Sequence, residues 1–101
     1  MAKLLDTVAR VLGTRYKPST ARVYGMWIRR YVRHHLPAHP REVGRQGVAG
    51  FMTALSDVGL SARSMGQALN AVGELYDIMG TPLDLVDQRP RQPQTFTVVR
   101  G

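Results

Sequence analysis

The stretch Ser19-Thr20-Ala21-Arg22-Val23-Tyr24-Gly25-Met26-Trp27-Ile28-Arg29-Arg30-Tyr31-Val32-Arg33 decides how this chain reads. On a helix, at about 100° per residue, Val23, Tyr24, Trp27, Ile28, Tyr31 and Val32 share one half. Arg22, Arg29 and Arg33 fall together on the other side, with Arg30 at the edge. The stretch holds no acidic residue. Solvated helix faces usually mix charge signs, because opposite charges at i,i+4 support a helix and like charges weaken it. An arginine stripe of one sign forgoes that support, and it suits a polyanionic partner, nucleic acid above all.

Working outward, the charge is unevenly placed. The 101 residues carry a net +7. From Arg10 to Arg45 nine bases face one acid, Glu42, whereas from Gln46 to Gln88 one base, Arg63, faces five acids. This asymmetry points to a directed basic surface rather than to general solubility. The length suits one small domain with one core. Without cysteine there is no disulfide framework and no thiolate zinc site. No apolar run approaches the roughly 20 residues of a membrane span, and the N-terminal stretch lacks the long apolar segment of a signal peptide. An intracellular, cytoplasmic location is the default expectation.

The periodicity predicts an all-α chain, a bundle of four short helices. The first covers 2–12, with Leu4, Leu5, Val8, Val11 and Leu12 on one face and Gly13 as its stop. The second starts at a Ser19 or Thr20 cap and runs to about His35, before Pro37 and Pro40. Residues 36–46 read as a loop. The third helix covers about 47–57, with Val48, Phe51, Met52 and Leu55 inward and Gly59 closing it. The fourth runs from a Ser61 cap to Gly80, with Met65, Ala68, Leu69, Val72, Leu75, Tyr76 and Met79 inward. Residues 1–88 form the expected domain, and 89–101 a Pro/Arg-rich linker or tail.

The fourth helix has a second polar face, formed by Arg63, Gln67, Asn70 and Glu74, with Ser64 and Gly66 flanking it. Arg, Gln and Asn can bond bidentately to guanine or adenine edges, and a helix N-terminus favours phosphate. An amphipathic helix must show some polar face, so ordinary solvation explains this pattern as well. Glu74 and Asp77 are expected to stand clear of a bound nucleic acid or to pair with another protein. Trp27 belongs to the core, with its indole N–H satisfied locally. His34, His35 and His39 edge the basic surface. Only Glu42 lies near enough to complete a metal site with them, and Pro37 breaks their spacing, so neither metal nor cofactor is expected.

The pattern Ser19-Thr20-x3-Tyr24-x2-Trp27-Ile28-Arg29-Arg30-Tyr31 resembles the opening helix of the core-binding domain of tyrosine recombinases, the integron and phage integrases in particular. His39-Pro40-Arg41-Glu42-Val43-Gly44 is similar to a short His-Pro-Arg-Glu stretch of the integron type. Phe51-Met52-x2-Leu55, and the run Leu60-Ser61-Ala62-x-Ser64-x2-Gln67-Ala68-Leu69-Asn70-Ala71-Val72-x2-Leu75-Tyr76, are similar to later helices of that domain. Asn70 stands where Ser is commoner, and Gly73 where a larger or basic residue is. The resemblance implies a four-helix, SAM-like domain that forms half of a clamp on duplex DNA, its second and fourth helices toward the major groove.

On that reading Lys17, Arg22, Arg29, Arg30 and Arg33 contact the DNA backbone. Arg63, Gln67 and Asn70 read bases or adjacent phosphates, and Thr20 and Ser64 complete the set. The family's catalytic domain would follow the linker. The chain itself is then no enzyme: Tyr24, Tyr31 and Tyr76 sit on core faces and Tyr16 precedes the second helix, so none is the nucleophile. Its partners would be double-stranded DNA and the missing catalytic domain, with a monomer in isolation. Two other readings fit the same residues: a free-standing helical DNA-binding adaptor, and a protein–protein module with a basic docking face.

Overall fold

The computed structural model of the chain describes residues 1–81. It comprises four α-helices in the order α1 (Ala2–Arg15), α2 (Pro18–His35), α3 (Pro40–Asp57) and α4 (Ala62–Ile78). No strand occurs among the described residues. The all-α, four-helix expectation therefore holds. The expected boundary at residue 88 and the 89–101 tail lie outside the described residues.

One core joins all four helices. α2 contributes Trp27, Ile28, Tyr31 and Val32; α4 contributes Ala68, Leu69, Ala71, Val72, Leu75 and Tyr76. Val48, Phe51, Met52 and Leu55 of α3 and Val8 and Leu12 of α1 complete it. No polar or charged residue is counted in it beyond the tyrosine and tryptophan rings. The two buried phenol hydroxyls must be satisfied, and both are. Tyr76 Oη donates to the Pro40 carbonyl at 2.6 Å, so the 2.7 Å contact between the two phenols has Tyr31 as donor and Tyr76 as acceptor. This chain of bonds pins α2, α4 and the start of α3 in one place. Burial pushes both phenols above the usual tyrosine range.

The local rules explain most boundaries, and they correct several expectations. The first helix does not stop at Gly13; it continues to Arg15 and ends where Tyr16 turns extended. A helix-interior glycine costs about 1 kcal/mol relative to alanine. The last turn is tied to α4 by contacts of Arg15 and Tyr16. The second helix begins earlier than a Ser19 or Thr20 cap allows: Lys17 is its N-cap and Pro18 its first helical residue, where a missing N–H does no harm.

The expected loop over 36–46 is largely helical. Pro40 starts α3 rather than merely blocking α2. His39 caps the new turn: its Nδ1 accepts from the Arg41 N–H at 3.0 Å, and Glu42 Oε1 accepts from the His39 N–H at 2.9 Å. This is a capping box with histidine in place of serine. At Gly44 the backbone leaves the helix, with φ +50°, and the longer arm resumes toward Asp57. α3 and α4 then end alike. Leu60 N–H reaches the Leu55 carbonyl and Gly59 N–H the Ser56 carbonyl, as Thr81 does to Tyr76 and Gly80 to Asp77. This double bond pattern needs a left-handed residue after the helix, and Gly59 supplies it at φ +84°.

Candidate nucleic-acid interface

The α2 side chains that the core does not use form the stripe. Arg22, Arg29, Arg30 and Arg33 are all exposed, as are Ser19 and Met26 between them. None of the four arginines forms an ion pair among the described residues. Two are nonetheless oriented. Arg30 lies over the Trp27 ring, its guanidinium carbon 4.7 Å from the ring centroid, a cation–π contact. Arg29 folds back over Gly25, where an added Cβ would meet its Nη1 at 3.7 Å. Lys17 is exposed at the start of the helix. The expectation about the indole fails: among the described residues the buried Trp27 Nε1 has no hydrogen-bond partner. The ring is gripped by the core on one side and roofed by a guanidinium, which accepts no hydrogen bond.

The α4 outer face carries Arg63, Gln67 and Asn70, all exposed. Ser61 caps the helix: its Oγ accepts from the Ser64 N–H at 3.1 Å and lies 3.2 Å from Ser64 Oγ. Ser64 is thus half-buried and already engaged with the cap.

Packing brings these residues to three places. Thr20 and Gln67 meet in an open cleft between α2 and α4, with Ser19, Val23 and Tyr24. Arg30 and Arg33 border a second hollow between α2 and α3, with His34 and an apolar floor of Phe51, Leu55 and Val58. Asn70 lies at the rim of an apolar groove between α3 and α4, lined by Met52, Leu60, Met65 and Leu69. The face is continuous along α2 but divides along α4.

The histidines part company. His35 Nε2 is 2.8 Å from the Gly47 carbonyl, His39 caps α3, and His34 packs edge-on to Phe51 at 5.4 Å between ring centroids. Burial lowers the His34 pKa, and the neighbouring His35 lowers it further. Among the described residues no three His, Cys, Asp or Glu side chains converge as a metal site requires.

Sequence reading missed the partner of α4's acids. Arg15 Nη1 lies 2.8 Å from Glu74 Oε1 and 3.0 Å from Asp77 Oδ2. Tyr16 Oη donates to Glu74 Oε2 at 2.7 Å. The bonds to Glu74 and then Asp77 raise the Arg15 pKa, and the bond to Glu74 raises that of Tyr16. The two carboxylates are therefore partnered within the fold. No sequence signal joins residues 59 and 62 positions apart; two acids at i,i+3 on a face otherwise set for an anion were the only hint.

No helix among the described residues is long and apolar enough to cross a membrane. Comparison with known families matches the chain to the phage integrase N-terminal SAM-like domain, over residues 3–83. The match is to the N-terminal domain alone, and no catalytic domain is matched. No curated protein matches the chain.

Proposed function

The chain belongs to the family of phage integrase N-terminal SAM-like domains, and from that premise we propose that it is the DNA-gripping domain of a tyrosine recombinase. It would hold one side of a recombination site while a catalytic domain acts on the strand. The observation that carries this reading is the α2 stripe: four exposed arginines on one face, without an acid among them and without an ion pair among the described residues. Left uncompensated, such a face raises the local concentration of polyanions and binds phosphates. Lys17, Arg22, Arg29, Arg30 and Arg33 are the proposed backbone contacts, with Thr20 at the cleft. Arg63, Gln67 and Asn70 are the proposed readers, and Ser64 supports them from the cap. In this reading the chain alone is monomeric, works in the cytoplasm and neither cuts nor joins DNA.

The test is a titration of the 101-residue chain with duplex DNA across salt concentrations. Binding through phosphates gives a log K that falls with log salt by about 0.9 for each phosphate neutralised. Affinity that does not respond to salt, or no affinity for duplex at all, overturns the reading and favours the protein-docking module.

A further inference from the structure

The outer face of α4 changes character along its length. Its first half carries Arg63, Gln67 and Asn70; its second half carries Glu74 and Asp77. Asn70 and Glu74 are four residues apart, about 6 Å along the axis. That is shorter than the screening length of about 8 Å at physiological salt. Carboxylates so placed would repel any phosphate held near Asn70.

α1 reaches across to them. One nitrogen, Arg15 Nη1, bonds both carboxylates, and Tyr16 takes the remaining oxygen of Glu74. We propose that Arg15 is a positioning residue which acts through Glu74 and Asp77. It masks their charge, so that the reading face of α4 can approach a polyanion. The inference rests on the DNA-binding reading above. In charge terms, one guanidinium against two carboxylates leaves the trio at −1. Arg15→Ala takes it to −2. Arg15→Ala with Glu74→Gln and Asp77→Asn brings it to 0, and the two acid substitutions alone bring it to +1.

Four proteins are compared on one labelled DNA duplex: the unaltered 101-residue chain, R15A, E74Q/D77N and R15A/E74Q/D77N. Affinity should follow charge. E74Q/D77N binds most tightly, the triple variant binds at least as tightly as the unaltered chain, and R15A binds about three- to tenfold more weakly at low salt. The differences should shrink as salt rises. Thermal melting of the same proteins separates charge from fold, because R15A and the triple variant both lose the bridge to α4. A triple variant as weak as R15A overturns the inference, since Arg15 would then act by touching DNA or by docking α1. R15A binding as well as the unaltered chain overturns it too, and leaves the DNA reading standing. An unaltered chain that fails to bind duplex overturns both.

Discussion

α2 and α4 are alike inside and unlike outside. Each gives one buried face to the same core, and each gives one tyrosine to the bond chain that ends on the Pro40 carbonyl. Outside, α2 presents four arginines of one sign, whereas α4 presents one arginine, two amides and two acids that α1 holds. The inner faces fix how the two helices sit together. The outer faces are then free to differ in what they do. An unpaired cationic stripe attracts any polyanion, and a sparse set of amides with one guanidinium can discriminate only at contact. Stability should therefore be lost from either helix, and affinity and specificity from different ones.

The largest effect tests the shared core. Trp27→Ala should cost about 3–5 kcal/mol, because the neighbours cannot fill the space of an indole. Trp27→Phe should cost much less, since the substitution also removes an N–H that has no partner. Chemical denaturation measures both. Comparable losses would mean that the indole N–H finds a partner in solution.

Next come the two tyrosines, where the helices should prove unequal. Tyr76→Phe leaves the Pro40 carbonyl without its donor and the Tyr31 hydroxyl without its acceptor. At about 1–3 kcal/mol per unsatisfied buried group, a loss of about 2–6 kcal/mol follows. Tyr31→Phe leaves the Tyr76-to-Pro40 bond intact and should cost about 1 kcal/mol. Both phenols have raised pKa values in the fold. The unfolded chain thus releases their protons first, and stability should fall as pH rises above about 10. Tyr31→Phe should flatten that fall in denaturation curves taken from pH 8 to 11. Equal losses for the two variants would place the hydroxyl bonds in another order.

The inner half of this comparison was legible in sequence, and the outer half only partly. Apolar spacing placed Trp27, Ile28, Tyr31 and Val32 correctly because burial on one helix face leaves a local, periodic mark. The turn at Pro40 was misread because proline both ends and begins helices, and only the His39–Glu42 bonds distinguish the two. Gly13 misled because helix propensity is weak against tertiary contacts. The stripe stood out through its single sign, which needs no fold to see. The bridge from Arg15 could not be read, since nothing in the chain's order brings α1 against the far end of α4. Nor could the division of α4's face between the α2 cleft at Gln67 and the groove at Asn70.

A smaller effect asks whether α4 reads sequence. Arg63→Ala and Gln67→Ala should each cost roughly 1–3 kcal/mol on a preferred site and far less on random DNA. Gln67 shares its cleft with Thr20 of α2, so Thr20 and Gln67 should be coupled in a double-mutant cycle. Arg63 and Thr20 should not. Equal losses on both DNAs would make α4 a second phosphate-binding surface and remove the contrast between the helices.

The smallest effect per residue belongs to the stripe, and its form matters more than its size. Arg29→Ala and Arg33→Ala should weaken binding to every duplex alike and lower the salt slope by roughly one unit each. Arg30 serves as the internal control. Its guanidinium already lies over Trp27, and part of its value is stacking and packing rather than charge. Arg30→Ala should therefore lower thermal stability as well as affinity, whereas Arg29→Ala and Arg33→Ala should leave melting unchanged. Arg30→Lys separates the two contributions: it keeps the charge and the salt slope, and loses the flat stack. If Arg29 and Arg33 left the slope unchanged, the stripe would not touch DNA. Its missing acids would then answer to some other anionic partner, and α4 would have no companion surface on α2.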